Sequence, residues 1–275
     1  MNAQEKAAAT YSAAADHYDD PANTFWERFG RRTIERLQLH SGERVLDVCC
    51  GSGASALPAA EVVGSEGSVM GIDLSEPLLQ LARAKARDRG LQNIAFAVGD
   101  MMNLNQREAH FDAVVCVFGI FFVPDMAAAL RELWRRVRPG GKLAITTWGP
   151  NFFEPVTTVF WNAIRDVKPE LYKGFNPWDR ICDPESLLPL FKEAGIEDVE
   201  AVAEIGVHAL PSPEAWWSAV IGSGYRGTID QLDANQREYV RSVNFDYIRQ
   251  NDIRSVEANV VYAVARAPLK SFGRL

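Results

Sequence analysis

Three carboxylates stand at the ends of short apolar runs in this sequence. Asp47, Asp73 and Asp100 each lie within or directly after a run that reads as a buried strand. The carboxyl ends of neighbouring parallel strands meet at one edge of a sheet, and ligands of such folds bind there. The spacing therefore predicts that the three side chains surround one ligand.

A glycine-containing turn separates the first of these runs from a helical pattern. Residues 47–54 read Asp-Val-Cys-Cys-Gly-Ser-Gly-Ala, with Gly51 and Gly53 in the turn. Glycine lets the backbone approach a ligand closely, and the start of the following helix offers free N–H groups. This pattern alone is also typical of dinucleotide-binding dehydrogenases, whose motif G-x-G-x-x-G/A is loosely matched if Ala56 takes the last position.

The two later carboxylates favour a nucleoside as the ligand. Asp73 lies about 20 residues after the turn, at a position from which a carboxylate can accept hydrogen bonds from both ribose hydroxyls. Asp100 can accept a hydrogen bond from an adenine amino group, while the polarizable thioether of Met101 packs on the ring. Each aspartate alone would read as a turn or cap residue, but the three together predict a nucleoside site.

Strand and helix patterns alternate between residues 44 and 147. This alternation predicts βαβ units and a parallel sheet that is covered by helices on both faces. Thr24 and Glu27 are predicted to form a capping box, and Ser75 and Asp125 are predicted to cap later helices. Strands are predicted at 44–48, 69–73, 94–98, 111–117, 142–147, 199–208 and 259–266, and helices at 4–18, 24–37, 54–63, 75–87, 125–137 and 184–194.

These residues resemble the class I, Rossmann-like methyltransferases that use S-adenosyl-L-methionine, and the likeness is closest to the ubiquinone/menaquinone-biosynthesis type. It covers about residues 11–148. Asp47, four residues before Gly51, and the Arg-Pro-Gly-Gly block at 138–141 favour this family over the dehydrogenases. The matching pieces are 47–53, 71–74, 99–100, 111–114 and 133–141.

The resemblance implies an α/β fold with a doubly wound seven-stranded sheet, mostly parallel with an antiparallel last strand. N-terminal helices and helical cap insertions complete it. One departure from the family is Cys49, which stands where the first loop glycine is usual. The implied cofactor contacts are Tyr18, Asp47, Gly51, Gly53, Asp73, Leu74, Asp100, Met101, Val117 and Phe118.

The chain is accordingly predicted to be one domain, 1–275. Residues 1–40 would form an N-terminal helical cap, 41–150 the cofactor-binding core, and 151–275 the remaining sheet with insertions that cover the substrate. Two segments of the last part, 151–184 and 211–252, are rich in aromatic residues and are predicted to be largely irregular. Their composition suits a water-poor pocket for a hydrophobic or aromatic acceptor, and is equally compatible with a homodimer contact.

The acceptor site is predicted beside the fourth strand. Phe118, Phe122 and Trp148 are expected to line it, although each is also a plausible core residue. A general base is needed only for some acceptors, and the candidates are His17 and His208, with Asp179 and Tyr225 behind them. His110 is expected at the surface. No spacing typical of a metal site is found near these residues.

Composition narrows the class of partner. The net charge of −7 and the pI of about 5.2 argue against nucleic acid, since phosphate binding needs a basic face. The longest apolar stretch, 113–123, is too short to span a bilayer. Residues 1–10 lack the pattern of a secretory signal, and the four cysteines are expected to be reduced thiols in the cytoplasm.

The leading hypothesis is a methyltransferase acting on a small molecule. A non-catalytic S-adenosylmethionine-binding protein, and a methyltransferase acting on a protein or RNA, remain the alternatives.

Overall fold

A computed structural model describes residues 3–269 of the chain. Seven strands form the main sheet, and two short strands, β7 (Val207–Ala209) and β8 (Ser255–Glu257), pair separately. The strands of the main sheet are β1 (Arg44–Val48), β2 (Ser68–Asp73), β3 (Ile94–Val98), β4 (Phe111–Val117), β5 (Val137–Trp148), β6 (Val199–Glu204) and β9 (Val260–Arg266).

The order of the strands across the main sheet is β3-β2-β1-β4-β5-β9-β6. The first five strands are parallel, and β9, the last in sequence, is antiparallel to both of its neighbours. The chain moves outward from β1 to β3 and then returns to β4, so the order reverses between β1 and β4. In open α/β sheets this switch point is where ligands bind. The predicted fold class is confirmed.

Helices cover both faces of the sheet. Val45 and Leu46 point to opposite faces of β1, and they belong to two separate apolar clusters. The cluster around Val45 includes residues of α2 and α3, whereas the cluster around Leu46 includes residues of α5, α6 and α7. The helices are α1 (Ala3–Tyr18), α2 (Phe25–Leu37), α3 (Ala56–Val63), α4 (Glu76–Asp88), α5 (Met126–Trp134), α6 (Val156–Val167), α7 (Pro184–Glu193), α8 (Pro213–Ile221), α9 (Arg226–Ile229) and α10 (Ala234–Gln250).

The two segments predicted to be irregular contain helices, so that prediction is wrong. Residues 151–184 include α6, and residues 211–252 include α8, α9 and α10. The long helix α10 is largely polar, and it buries Val240, Asn244 and Ile248, which recur every four residues. Asn244 Oδ1 accepts a hydrogen bond of 2.9 Å from Trp216 Nε1, which ties α10 to α8.

Two of the three predicted caps form. Ser75 accepts from the backbone N–H of Leu78, and Asp125 accepts from that of Ala128. The capping box at Thr24 is wrong, because Thr24 adopts a helical conformation (φ −61°) and its side chain makes no capping hydrogen bond. Glu27 instead lies near two basic side chains. It is 3.9 Å from Lys85 of α4 and 3.4 Å from Arg89, the residue that follows this helix.

Other boundaries shift. The predicted strand 142–147 begins earlier, as β5 at Val137, and the predicted strand 199–208 divides into β6 and β7. The ends of the predicted domain, residues 1–2 and 270–275, lie outside the described residues, and its division into three parts stays a prediction. Within residues 3–269, no helix combines the length and the apolar character needed to cross a membrane.

Candidate functional site

A cavity lies at the carboxyl ends of β1, β2 and β4, at the switch point of the sheet. It encloses about 840 Å³, including its opening to solvent. The loops after β1, β2, β3 and β4 form its floor, and α1 forms one wall. Its lining residues are Gln4, Ala7, Ala8, Tyr11, Tyr18, Trp26, Cys49, Cys50, Gly51, Ala54, Ser55, Asp73, Leu74, Leu78, Gly99, Asp100, Met101, Val117, Phe118, Phe122 and Val123.

The loop after β1 has the conformation that its glycines permit. Gly51 and Gly53 both have positive φ (+52° and +89°), a region that residues with a side chain rarely adopt. A Cβ on Gly51 would lie 3.2 Å from the hydroxyl of Tyr18, and one on Gly53 would lie 3.0 Å from Leu57. Gly51 therefore lines the cavity beneath Tyr18, whereas Gly53 packs against α3 and does not line it.

Cys49, at the position where the resembled family usually has glycine, also has a positive φ of +62°. Its side chain is held next to Gly119, on which a Cβ would lie 2.7 Å from Cys49 Sγ and 2.8 Å from Cys116 Sγ. The hydrogen bond with Cys116, reinforced by burial, raises the pKa of the Cys49 thiol well above its usual range. Because the thiolate is the reactive form, this shift disfavours reaction of Cys49, which contributes a small side chain to the cavity wall.

Asp47 lies behind this loop rather than in the cavity wall. It is fully buried, and its Oδ2 accepts a hydrogen bond of 2.6 Å from Ser55 Oγ. Its Oδ1 has no partner among the described residues. Burial raises the pKa of the Asp47 carboxyl to about 7. A buried acceptor without a partner costs about 1–3 kcal/mol, so this oxygen is suited to a donor supplied by a ligand or by water.

The raised pKa of Asp47 predicts a pH-dependent stability. In the unfolded chain this carboxyl ionises near pH 4, whereas in the folded protein it keeps its proton until about pH 7. Folding therefore loses stability as the pH rises between these values. We expect the wild type to lose about 2 kcal/mol relative to Asp47→Asn between pH 5 and pH 8, measured by urea unfolding at both values. A constant difference between the two proteins would show that Asp47 is ionised throughout.

Asp73 joins the loop after β1 to the loop after β2. Its Oδ2 accepts from the backbone N–H of Gly51 at 2.9 Å, and its Oδ1 accepts from that of Ser75 at 2.8 Å. Burial raises its pKa, and these backbone hydrogen bonds oppose the rise. Each carboxylate oxygen retains a lone pair. Leu74, 38% exposed, follows it in the cavity wall.

Asp100 and Met101 form the wall beyond β3. Asp100 Oδ1 accepts two hydrogen bonds of 2.9 Å, from Gln4 Nε2 and from the backbone N–H of Met102. Met101 is 5% exposed. Asp73 and Asp100 are thus brought to one cavity, as the strand pattern predicted.

Aromatic side chains form another part of the cavity wall. Tyr18 stacks on Trp26 with ring centroids 4.8 Å apart, and Tyr11 meets Phe122 edge-to-face at 5.5 Å. Burial raises the pKa of the Tyr11 and Tyr18 hydroxyls above their usual range. Both therefore stay protonated near neutral pH and can donate hydrogen bonds. Phe118 has a positive φ of +53°, which turns the chain at the end of β4.

Trp148 lies behind Phe118 rather than in the cavity wall. Its indole is 2% exposed and stacks on the Phe118 ring at 3.9 Å, with an interplanar angle of 9°. It also contacts Phe152 and Phe153. Trp148 is therefore not among the residues that line this cavity, and its ring supports Phe118 from the core.

The candidate bases lie outside the cavity lining. His17 is partly exposed, with ring nitrogens 4.0 Å from Asp16 and from Asp20. His208 is buried, and its Nε2 lies 2.9 Å from the backbone oxygen of Ala22. Burial lowers the pKa of His208. His17 thus faces acidic side chains near the surface, whereas His208 is a packing residue.

The other candidates are also engaged elsewhere. Asp179 caps its own short helical turn by accepting from the backbone N–H of Asn176. Tyr225 OH lies 2.9 Å from Thr157 Oγ1 inside the apolar cap. Among the cavity residues the structure describes, none is a histidine, lysine or arginine. No group of three or more potential metal ligands occurs in residues 3–269.

The N-terminal helix was predicted as part of a cap with Tyr18 at the cofactor, but the sequence patterns did not single out Gln4, Ala7 or Ala8 as residues of the cavity wall. One face of the helix carries Gln4, Ala7, Ala8 and Tyr11. Three of these four residues are small or polar, so their spacing does not form an apolar helix pattern.

Two ion pairs fix the helix and the loop after it. Asp16 pairs with Arg226 of α9 at 3.0 Å, and Asp19 pairs with Lys85 of α4 at 2.9 Å.

The chain is similar to known methyltransferases. Residues 5–173 match the ubiE/COQ5 methyltransferase family. A demethylmenaquinone methyltransferase of Geobacillus kaustophilus is 30% identical over 213 residues, which cover 72% of this chain and 91% of the relative. One from Listeria monocytogenes is 30% identical over 190 residues, or 65% of this chain and 80% of the relative.

The fold has solved counterparts. A SAM-dependent methyltransferase from Aquifex aeolicus superposes with a TM-score of 0.54 at 22% identity, over 70% of this chain and 91% of that protein.

Proposed function

Since this chain belongs to the ubiE/COQ5 methyltransferase family, which uses S-adenosyl-L-methionine, we propose that it methylates a small hydroxylated aromatic ring of the quinol type. The observation that supports this acceptor most directly is the cavity itself. Its wall combines the carboxylates of Asp73 and Asp100 with the aromatic rings of Tyr11, Tyr18 and Phe122. The names of the relatives, demethylmenaquinone methyltransferases, point to the same class of acceptor.

The carboxylates in and behind the cavity wall would bind the nucleoside and amino acid parts of the cofactor. Asp73 would hold the ribose hydroxyls, since each of its oxygens keeps a lone pair beside the bonds to Gly51 and Ser75. Asp100 would accept from the adenine amino group. The unpartnered Oδ1 of Asp47, which lies behind the glycine loop, would accept from a water molecule that binds the cofactor's ammonium group.

When bound, S-adenosylmethionine would supply an electrophilic methyl group, leaving S-adenosylhomocysteine, and the acceptor would release a proton to water. The protein's contribution is to orient the acceptor and to exclude water. The Phe122 and Phe118 rings would hold a flat acceptor by packing. The protonated Tyr11 hydroxyl would donate a hydrogen bond to the acceptor's oxygen and so fix its direction.

The lining residues also argue against charged acceptors. The described residues place no cation in the cavity wall that could pair with a carboxylate or phosphate of the acceptor. Its two carboxylates, Asp73 and Asp100, already accept hydrogen bonds from backbone N–H groups, so an acceptor that is reactive by its own chemistry is favoured. An electron-rich hydroxylated ring meets both conditions. Because α1 covers the cavity, a small acceptor is favoured over a protein or RNA.

The direct test uses 1,4-naphthalenediol kept reduced under anaerobic conditions. We expect the purified protein with S-adenosylmethionine to form S-adenosylhomocysteine and a singly methylated product, detected by mass spectrometry. A primary amine, a benzoate, a peptide mixture and an RNA serve as comparison acceptors. Methylation of the peptide or the RNA with none of the diol would overturn the proposal.

A substitution at Phe122 tests acceptor binding separately from cofactor binding. Its ring is partly buried between Tyr11 and Phe121. We expect Phe122→Ala to raise the KM for the diol about tenfold, because aromatic packing of this kind contributes about 1–1.5 kcal/mol. Binding of S-adenosylhomocysteine, measured by calorimetry, should change less than threefold.

Phe175→Ala is the matched control. Phe175 is 52% exposed and lies outside the lining of the cavity. We expect this variant to keep the wild-type KM. If Phe122→Ala weakened cofactor binding as much as acceptor use, Phe122 would not belong to the acceptor wall.

A further inference from the structure

The side chain of Gln4 extends from α1 to Asp100 in the wall of the cavity. It stands in the first turn of the helix, on the face that continues through Ala7, Ala8 and Tyr11 along the cavity wall. Its Nε2 donates a hydrogen bond of 2.9 Å to Asp100 Oδ1. No described residue accepts from its second N–H group or donates to its carbonyl oxygen.

We propose that Gln4 is an adenine-recognition residue that acts together with Asp100. The inference rests on the proposed function, in which the adenine of the cofactor lies beside Asp100. Gln4 precedes residues 5–173, the segment that matches the family, so it is a feature of this chain rather than of the matched pattern.

The hydrogen-bonding chemistry of the pair complements adenine. The edge of adenine offers a donor, the 6-amino group, next to an acceptor, the ring nitrogen N1. A carboxylate can only accept, so Asp100 can satisfy the amino group but not N1. The amide of Gln4 has two N–H groups, and one of them is already used on Asp100. The other N–H group lies beside Asp100 on the same nitrogen and can donate to N1.

The local hydrogen bonds do not require Gln4 for structural reasons. Asp100 Oδ1 already accepts from the backbone N–H of Met102 at 2.9 Å. The helix is attached to the rest of the protein at other points, including Ser12 Oγ, which lies 2.9 Å from Ser75 Oγ. An amide held at a cavity wall by one of its two N–H groups is thus available for a ligand.

The inference is tested by calorimetric binding of two ligands. S-adenosylhomocysteine carries adenine, and S-inosylhomocysteine carries hypoxanthine, in which the donor and the acceptor at these positions are exchanged. We expect Gln4→Ala to weaken S-adenosylhomocysteine binding about tenfold, the effect of one lost hydrogen bond. The preference for adenine over hypoxanthine should fall by a similar factor. Gln4→Glu, which cannot donate and brings a carboxylate next to Asp100, should weaken binding further.

Ser12→Ala is the control for docking of α1, since it removes a contact of the helix away from Asp100. It should leave the adenine preference unchanged. Equal affinity or tighter binding in Gln4→Ala would overturn the inference, because Gln4 would then be neutral or an obstacle to the ligand. Weaker binding with an unchanged preference in both variants would also overturn it, leaving only a role in docking. Absence of binding by the wild type would instead overturn the proposed function itself.

Discussion

Replacing Asp73 by alanine is expected to weaken S-adenosylhomocysteine binding about 100-fold. The carboxylate accepts from the backbone N–H groups of Gly51 and Ser75 and, in the proposed function, from the ribose. The variant loses the ribose contact and also frees two loop amides that define the shape of the cavity. A lost hydrogen bond to a charged group costs about 1.5–3 kcal/mol, which corresponds to at least a tenfold change for the ribose alone.

Asp125→Ala separates binding from the general cost of losing an aspartate. Asp125 also accepts from a backbone N–H group, that of Ala128 at the start of α5, but it does not line the cavity. We expect both variants to lose about 1 kcal/mol of stability, measured by urea unfolding, and only Asp73→Ala to lose affinity in calorimetry. Wild-type affinity in Asp73→Ala would remove this residue from the ribose site.

Gly30→Ala is expected to have the largest effect on stability. A Cβ on Gly30 of α2 would lie 2.4 Å from the backbone oxygen of Ala54 and 2.8 Å from the backbone nitrogen of Ser55. These atoms belong to the turn that leads from the glycine loop into α3, so they cannot move aside as a flexible side chain would. We expect a loss of about 3 kcal/mol or more in the free energy of unfolding. Cofactor binding should weaken as well, since Ser55 lines the cavity and bonds to Asp47.

Gly174→Ala provides the matched substitution. Gly174 lies in the cap, where a Cβ would make an ordinary contact of 3.5 Å with the ring of Tyr172. The expected result is unchanged or slightly raised stability, since alanine reduces the freedom of the unfolded chain. If Gly30→Ala unfolded at the same urea concentration as Gly174→Ala, the close approach of α2 to the loop would be refuted.

The sheet and its polar edge could be predicted because their signals are local. Short apolar runs that end in aspartate or glycine fix where Asp73 and Asp100 lie once the strands are parallel. The helices α8 and α10 were missed because their burial depends on each other. The Trp216–Asn244 hydrogen bond joins two elements whose separate patterns are weak.

Two features of the site depended on tertiary context in the same way. Trp148 reads equally well as a pocket or a core residue, and only its stacking on Phe118 decides between them. His208 ends a predicted strand, as a catalytic residue might, yet its ring is turned toward the backbone of Ala22. Contacts between residues far apart in sequence carry this information, and no single segment contains it.

The attachment of α1 has a consequence for the order in which the protein can complete its fold during synthesis. The helix leaves the ribosome before the sheet, but Arg226, which pairs with Asp16, is 210 residues further along the chain. Lys85 and the sheet can receive the loop after α1 earlier, since the strands up to β5 precede the cap. The nascent protein therefore gains a sheet edge with its carboxylates before it gains a finished wall, and binding of a nucleoside ligand becomes a late marker of folding rather than an early one.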